Sequence, residues 1–227
     1  MEGPPMQLYV NGANHWRSEN EWPLARTQWK ELFLGGPSDG LEGWLRDTPG
    51  KGSQRSYNYD PHKMESIYGR PCVVYRSEPF ERATKITGPL ALYLHAASTT
   101  TDNDFYVHIY DEAPDGKVDI IWKEALHASH RELDASRSRP WQPYHPHTKQ
   151  ELLVPGEKYE FAIEIWPTRK VLQPGHRIRL EISGSDNLFG AVGPVISTPD
   201  VPLPANVNTV FEGRSHPSRL LVPIIPE

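Results

Sequence analysis

The chain has 227 residues, a formal net charge of −5 at neutral pH and an isoelectric point near 6.1. A nucleic-acid-binding protein would usually be basic, so this balance argues against nucleic acid as a partner. The longest apolar runs, such as LLVPII at 220–225, are far shorter than the roughly 20 residues that a membrane-spanning helix needs, so no membrane partner is expected.

The beginning of the sequence, MEGPPMQLYV, lacks the charged and apolar regions of a secretory signal peptide. This leaves the compartment open, with the cytoplasm slightly favoured. The single cysteine, Cys72, excludes an intramolecular disulfide. Its place in the apolar run RPCVVYRSE predicts a small buried core residue, and a thiol nucleophile is the alternative.

Prolines and alternating apolar residues together predict many short strands. The 23 prolines are spread between short apolar runs, and proline breaks helices and is excluded from central strands. Apolar residues recur at alternate positions, which is typical of half-buried strands, whereas the helical period is almost absent. In chain order, the predicted strands are residues 6–10, 27–34, 70–78, 85–98, 105–110, 117–126, 159–166, 177–183, 208–213 and 218–225.

Short turns separate the clearest strands. The sequence PDG at 114–116 joins two of them, and PG at 155–156 and at 174–175 precedes two more, because glycine accepts the backbone angles that such turns need. In YEFAIEIW at 159–166, large apolar residues alternate with Glu, Ala and Trp. A shift of one residue would turn that apolar face into water, so the strand register is well specified.

Stretches rich in Gly, Pro, Asn and Ser predict long loops at 35–69 and 184–207. Residues 128–150 predict a polar connector with one helical turn. This spacing of strands and turns is typical of a two-sheet sandwich or jelly roll. We therefore predict a single all-β domain over 1–227, with a leading segment at 1–26 and the sandwich with its long loops at 27–227.

One stretch satisfies the G-x-S-x-G pattern of a serine-hydrolase nucleophile elbow. In GPSDG at 36–40, Ser38 takes the place of the nucleophile after a predicted strand. The elbow needs a helix directly after the serine, and the glycines and proline that follow Gly40 disfavour one. A surface turn is therefore the favoured interpretation, and no catalytic residue is predicted in this chain.

Four histidines form two short motifs. His127 and His130 give H-x-x-H, and His145 and His147 give H-x-H, and either spacing can place two imidazoles on one metal ion. No cysteine or third histidine completes a set in the neighbouring sequence. We therefore predict no metal site.

The stretch TTTDNDF at 99–105 groups three oxygen-bearing side chains, those of Asp102, Asn103 and Asp104. Ca²⁺ prefers such oxygen ligands. The spacing does not match a known calcium loop, so a turn that begins a strand is favoured.

Seven tryptophans and ten tyrosines raise a second class of function. Exposed rings on one face could stack on sugars, whereas buried rings fill the core between two sheets. We expect core or interface packing for most of them, including Trp122 and Trp166. An independent carbohydrate-binding β-sandwich module is the alternative function.

Several longer stretches carry a family resemblance. They are GANHWRSENEWPLARTQWKELFLGG at 12–36, CVVYRSEPFERATKITGPLALYLHAASTTTDNDFYVHIYDEAPDG at 72–116, LVPGEKYEFAIEIWPTRKVLQPGHRIRLEISGSD at 153–186 and HPSRLLVPIIP at 216–226. Together and in this order they resemble the C-terminal domain of the X-Pro dipeptidyl-peptidase and cocaine-esterase-like (CocE/NonD) serine hydrolases. None of them would be specific alone.

The resemblance implies a jelly-roll β-sandwich that is similar to galactose-binding domains. In that family the sandwich is appended to an α/β-hydrolase domain, which carries the catalytic Ser, Asp and His. Members cleave X-Pro dipeptides from peptide N-termini or hydrolyse acyl esters and amides. The resemblance thus implies a non-catalytic accessory domain without its upstream catalytic domain, which would be its partner in the parent chain. No cofactor is implied, and a homo-oligomer is a further expectation.

The resemblance also singles out one loop. The segment between NYDP at 58–61 and VVYRSEP at 73–79 is the candidate for facing the catalytic cleft, through Met64, Ile67 and Tyr68. After LEIS, family members often have a stretch with Asn, Phe and Arg that leads to NTG, where this chain has GSDNLFGAVGPVIST at 184–198. Contacts made by that second loop are therefore not carried over.

Overall fold

The computed structural model describes residues 5–37, 40–61, 71–186 and 203–226. Within these ranges the chain forms β-strands and one short 3-10 turn at Ala128–His130, with no α-helix, so the all-β prediction is confirmed. No helix in the same ranges is long and apolar enough to cross a membrane. The strands are β1 (Met6–Val10), β2 (His15–Glu19), β3 (Gln28–Gly35), β4 (Glu42–Arg46), β5 (Ser53–Tyr59), β6 (Cys72–Ser77), β7 (Thr84–Ser98), β8 (Asp104–Glu112), β9 (Val118–His127), β10 (Tyr159–Leu172), β11 (Arg177–Ser183), β12 (Asn206–Glu212) and β13 (Arg219–Ile225).

The strands form one small sheet and one large mixed sheet. β1 and β2 make a separate hairpin, and the large sheet runs in the order β5-β12-β7-β13-β3-β4-β6-β11-β8-β9, with β10 on the other edge of β7. Every pairing is antiparallel except that of β4 with β6. β9 also lies alongside β10 without a ladder between them, so the sheet curves back on itself. This arrangement is consistent with the predicted β-sandwich.

β7 lies at the centre of the fold, because it pairs with β10, β12 and β13. Its alternate residues Leu90, Leu92 and Leu94 are fully buried in the core. Phe105 of β8 and Phe161 of β10 meet there with ring centroids 4.7 Å apart. Burying one large apolar side chain stabilises the fold by about 1.5–3 kcal/mol, so these inward rows are a main source of its stability.

The apolar strands follow the sequence prediction closely. Each predicted strand is present with ends within two residues of the predicted ones, except that β10 continues from the predicted end at 166 to Leu172. The ladder of β10 with β7 shifts between Ile165 and Thr168, which is a β-bulge. A bulge tolerates Pro167, which has no N–H to give to a ladder, and the strand can therefore continue beyond it.

The predicted loop at 35–69 is wrong in its described part, because β4 and β5 lie there. In β5, buried Arg55 and Tyr57 alternate with exposed Gln54 and Ser56. The alternation is present, but its inward face is polar, so a search for alternating apolar residues overlooks it. β2 was also missed, since its sequence HWRSE contains no aliphatic residue.

The described turns agree with the prediction. Gly116, Gly156 and Gly175 have φ angles of 83°, 81° and 82°, in the left-handed region that glycine adopts without strain. The polar connector begins with the 3-10 turn, which is the predicted helical turn.

Cys72 begins β6 and is only partly buried, so the prediction of a buried core cysteine is wrong.

A charged pair is buried in the core. The side chains of Arg55 on β5 and Glu212 on β12 are both 0% exposed, and Nη1 donates to Oε1 and Oε2 at 2.9 and 3.0 Å. The Tyr75 hydroxyl on β6 donates to the same carboxylate at 2.7 Å. Burial, with a further contribution from the charge of Glu212, raises the pKa of Tyr75 well above its ordinary value. The tyrosine therefore stays a neutral donor.

The same arginine holds the connection between β3 and β4. Its Nε donates to the carbonyl of Glu42 at 3.2 Å, and its Nη2 donates to the carbonyl of Pro37 at 2.7 Å. A Cβ on Gly36 would lie only 1.7 Å from Nη2, so a glycine is required at this close approach. Arg55 therefore joins β5, β12, the start of β4 and the β3–β4 connection in one network.

We expect Glu212→Gln to lower the free energy of unfolding by about 3–5 kcal/mol, because it leaves the buried guanidinium without its counter-charge. The double variant Arg55→Met/Glu212→Leu should be clearly more stable than this single variant, since it removes both charges. Urea unfolding followed by tryptophan fluorescence measures both. Lys30→Ala is the matched control, because its pair with Asp47 is exposed and should contribute less than about 1 kcal/mol. A loss for Glu212→Gln no larger than that of the control would contradict this account.

Candidate functional site

Two connections leave and return at the same end of the sandwich. β5 ends at Tyr59, which lies opposite Asn206, the first residue of β12. β11 ends at Ser183, which lies opposite both Cys72 at the start of β6 and Tyr106 near the start of β8. The β5–β6 and β11–β12 connections therefore emerge beside each other. We call this end of the molecule, where Tyr59, Cys72, Ser183 and Asn206 lie, the polar end.

The predicted cleft-facing residues belong to the first of these connections. Met64, Ile67 and Tyr68 lie in 62–70, outside the described residues, so their role stays a prediction. The described chain shows that this connection begins after β5 and ends before β6, at the polar end. The second connection contains residues 187–202, which also lie outside the described ranges.

The polar end holds a histidine between two carboxylates. Nε2 of His127 lies 2.8 Å from Oδ2 of Asp102, and Nδ1 lies 2.6 Å from Oδ1 of Asp104. Hydrogen bonds to these two carboxylates raise the pKa of His127 to about 10. The ring is therefore an imidazolium at neutral pH, with both N–H groups donating. A fixed cation of this kind cannot act as a general base, because it has no free lone pair.

Two of the three candidate calcium residues, Asp102 and Asp104, take part in this arrangement, whereas the side chain of Asn103 has no hydrogen-bond partner in the described chain. Asp102 Oδ1 accepts hydrogen bonds from the backbone N–H groups of Asn103 and Ser129, both at 3.0 Å. Burial acts to raise the pKa of Asp102, but the hydrogen bonds from His127 and Ser129 outweigh it and lower the pKa. Asp104 begins β8, so the predicted strand-initiating turn is confirmed.

The structure brings the two histidine motifs together. His130 of the first motif and His147 of the second have ring centroids 5.3 Å apart. Sequence spacing did not reveal this approach, because the motifs are separated by a long connector that folds back. In the described parts of the chain, no group of three or more His, Cys, Asp or Glu residues is arranged to hold a metal ion.

A second charged cluster lies where the chain leaves β11. Lys123 Nζ on β9 donates to Oδ2 of Asp186 at 2.7 Å, and Nε2 of buried His108 on β8 lies 3.3 Å from Oδ1. Burial, followed by the charges of Asp104 and Asp186, raises the pKa of Tyr106 beside this cluster. These contacts hold the stem of the β11–β12 connection against β8 and β9.

Exposed aliphatic side chains lie at the same end. Leu152, Val154 and Val207 are all exposed. Leu153, between the first two, donates its N–H to the carbonyl of Thr101 at 2.7 Å. Thr99 donates its N–H to the carbonyl of Val207 at 3.1 Å. The polar end therefore combines the stems of two connections with apolar surface that nothing in the described chain covers.

The G-x-S-x-G stretch is not in an elbow context. Ser38 and Asp39 lie outside the described residues, but both flanks are described. β3 ends at Gly35, and β4, the next element, is a strand that pairs antiparallel with it. A nucleophile elbow needs a strand followed by a helix, so the flanking structure favours the predicted turn.

Trp122 on β9 and Trp166 on β10, both named in the sequence analysis, form a pair between these two strands. The rings of Trp122 and Trp166 are almost parallel, at 10°, with centroids 6.4 Å apart. Trp122 is partly buried against the core, and Trp166 is 59% exposed. This arrangement favours packing over an extended platform for sugars.

Comparison with known proteins adds to this geometry. The sequence family described as the X-Pro dipeptidyl-peptidase C-terminal non-catalytic domain matches residues 1–221. The chain is 27% identical over 253 aligned positions to cocaine esterase of Rhodococcus sp. (strain MB1 Bresler), and the match covers 98% of this chain and 42% of the esterase. The chain thus spans about two fifths of the length of such a relative.

Solved structures share the fold. A CocE/NonD family hydrolase from Staphylococcus aureus matches with a TM-score of 0.79 at 19% identity, over 98% of this chain and 41% of that one. An α-amino acid ester hydrolase matches with a TM-score of 0.74 at 19% identity, over 98% and 41% of the two chains. At this identity the likeness concerns the fold.

We expect the contacts of His127 with Asp102 and Asp104, which we call the His127 clamp, to stabilise the fold in a pH-dependent way. The pKa of His127 in the folded state, about 10, lies above the ordinary value of 6.5, so between these two pH values the folded state holds a proton that the unfolded state has lost. The stabilisation should therefore be complete below pH 6.5 and disappear as the pH rises through 10.

Urea unfolding of the unchanged chain and of His127→Gln at pH 6, 8 and 10 tests this expectation. The difference in unfolding free energy should be largest at pH 6 and smallest at pH 10. His15→Gln is the control, since His15 is exposed and its ring contacts only a backbone carbonyl. A difference that stayed constant across this range would rule the clamp out.

Proposed function

Because the chain belongs to the X-Pro dipeptidyl-peptidase C-terminal non-catalytic domain family, we propose that it is the accessory β-sandwich of a larger serine hydrolase. In this proposal it packs on an α/β-hydrolase catalytic domain of the same parent chain and shapes the access of substrate to the cleft. The parent would cleave X-Pro dipeptides or hydrolyse acyl esters or amides. The match covers 42% of cocaine esterase, and the rest of that protein is long enough to contain such a second domain.

The polar end is the surface that best supports this role. The β5–β6 and β11–β12 connections leave and return there side by side, and Leu152, Val154 and Val207 are exposed beside their described ends. Aliphatic groups left in water at one end of a sandwich fit a surface that another domain covers. This convergence is the observation that carries the proposal. A homo-oligomer stays a prediction.

The described chemistry of the chain also supports a non-catalytic role. His127 is held as a cation by two carboxylates, and the Arg55–Glu212 pair is sealed in the core. A catalytic acid or base must instead exchange a proton near the working pH and reach the substrate. The reacting groups are therefore assigned to the catalytic domain of the parent.

We expect this chain alone to show no turnover of p-nitrophenyl acetate or of Xaa-Pro-p-nitroanilides above the rate in buffer. Ser38→Ala should leave this background unchanged, because the flanks of Ser38 lack the elbow geometry. The parent hydrolase, assayed in parallel, is the positive control. Turnover by the chain that Ser38→Ala abolished would refute the non-catalytic role and restore GPSDG as an elbow.

In the parent hydrolase, we expect Tyr68→Ala to lower kcat/KM by at least about fivefold, because it removes an aromatic contact at the proposed edge of the cleft. Tyr9→Ala is the matched control, since Tyr9 is a partly exposed aromatic on the separate β1–β2 hairpin. Steady-state kinetics with a short and a long substrate measure both variants. An unchanged kcat/KM for Tyr68→Ala would contradict a role in substrate access and would leave only packing on the catalytic domain.

A further inference from the structure

Strands β9 and β10 lie side by side without a ladder between them, and we call the line along which they meet the seam. Two contacts across the seam show how the strands are aligned. Lys170 Nζ on β10 donates to Oδ2 of Asp119 on β9 at 2.5 Å, and the ring centroids of Trp122 and Trp166 lie 6.4 Å apart. Residue numbers thus rise along β9 as they fall along β10, so the two strands are antiparallel.

Two carboxylates form the next pair along the seam. On β9, Glu124 follows Trp122 by two residues and therefore lies on the same face of the strand. On β10, partly buried Glu164 and exposed Trp166 flank buried Ile165, so they also share a face. The antiparallel alignment therefore places Glu124 opposite Glu164. Burial raises the pKa of Glu124, and the charge of Glu164 acts in the same direction, as expected for carboxylates that lie close together.

Neither of these two carboxylates forms an ion pair with a base of the described chain. The bases nearest to them are engaged elsewhere, since Lys123 is held by Asp186 at 2.7 Å and Lys170 is held by Asp119. Like charges that face each other across neighbouring strands are destabilising. A cation bound between the two glutamates would remove this repulsion.

Trp166 adds an aromatic surface beside the carboxylates. It is 59% exposed, whereas Trp122 is partly buried against the core, so Trp166 is the ring that a ligand can reach. The face of an indole ring attracts cations. A guanidinium group combines stacking on such a ring with a planar fork of N–H donors that fits carboxylates. A metal ion would instead need a shell of oxygen ligands, and the ring would contribute none.

The same combination of side chains already holds a guanidinium elsewhere in the molecule. Arg219 lies over the ring of Tyr93, 4.3 Å from its centroid, and its Nε donates to Oε1 of Glu31 at 2.9 Å. One aromatic ring and one carboxylate are thus enough to fix an arginine on the surface of this sheet. At the seam, the described residues supply a ring and two carboxylates without an arginine of their own.

We propose that Trp166, Glu124 and Glu164, which we call the seam site, bind the guanidinium group of arginine. The guanidinium lies against the indole of Trp166, and its N–H groups donate to the two carboxylates. A single exposed group of this kind binds weakly, with a Kd of about 1–10 mM. Free arginine carries a carboxylate of its own, which the two glutamates repel. An arginine residue within a peptide chain is therefore the better ligand.

An NMR titration of the unchanged chain with N-acetyl-L-arginine amide tests the proposal. The indole N–H resonances of the two seam tryptophans should shift and saturate with a Kd of about 1–10 mM. N-acetyl-L-citrulline amide has nearly the same shape without the charge, and its Kd should be at least about tenfold higher. The absence of a saturable shift up to about 50 mM ligand, or equal binding of the citrulline amide, would overturn the proposal.

Two further ligands define what the seam site recognises. Free L-arginine should bind about twofold to fivefold more weakly than the arginine amide, because of its own carboxylate. Calcium chloride at about 1 mM should leave the Kd of the arginine amide unchanged within about twofold. Tighter binding of free L-arginine would contradict a peptide-borne ligand. Displacement of the amide by calcium at that concentration would make the two acids a metal site and overturn the proposal.

Paired variants assign the binding to the seam. Glu124→Gln/Glu164→Gln should raise the Kd of the arginine amide at least about tenfold. Trp166→Leu should raise it at least about threefold, read on the remaining indole resonance of the seam. Glu157→Gln and Trp16→Leu are the matched controls, because these exposed side chains lie on a turn and on the separate hairpin. A Kd that was the same in the seam variants and in the controls would refute the assignment.

The stability of the chain without ligand separates a binding role of the glutamates from a structural one. Glu164→Gln removes one of two facing like charges, so it should leave the midpoint of urea unfolding unchanged or move it to a higher concentration. The arginine amide should raise the midpoint of the unchanged chain and have no such effect on the double variant. A clear fall of the midpoint for Glu164→Gln would show that this carboxylate is needed within the fold, and the proposal would fail.

Discussion

The buried pair of Arg55 and Glu212 is the interaction on which the arrangement of the sheet depends. Two charges without any exposed surface are costly to bury, and that cost is offset only when every hydrogen-bonding group is satisfied. Here the guanidinium reaches one carboxylate and two backbone carbonyls. Because these acceptors lie on β12, on the first residue of β4 and on the β3–β4 connection, the pair can be buried only when distant parts of the chain are assembled together. It therefore favours one strand order over alternatives that would leave a charge unpaired.

The same requirement explains the local sequence around the pair. Gly36 is small because the arginine passes where a Cβ would lie, and Tyr75 stays neutral so that it can donate to Glu212. The β3–β4 connection resembles an elbow in sequence, but the described strands on its two sides pair antiparallel. The buried arginine thus accounts for the first glycine of this motif without any catalytic role.

Sequence patterns predicted the parts of the fold in which burial is apolar. Strands such as β1 and β11 carry apolar residues at alternate positions, as a half-buried strand does, and their ends were predicted within two residues. β5 was missed because its inward row contains Arg55, whose partner lies 157 residues away. No local window can contain the information that this arginine is neutralised. The convergence of the histidine motifs was missed for the same reason, since it depends on how the polar connector at 128–150 folds back. The segment predicted to face the cleft lies outside the described residues, so that part of the site rests on resemblance.

Charge is buried in two different ways in this molecule. In the core, the side chains of Arg55 and Glu212 have no exposed surface, and each charge is paired with the other. At the polar end, the His127 side chain is 32% exposed and is shared between two carboxylates, which hold it as a cation. Neither arrangement leaves a group poised to exchange a proton with a substrate, although both order the backbone around them.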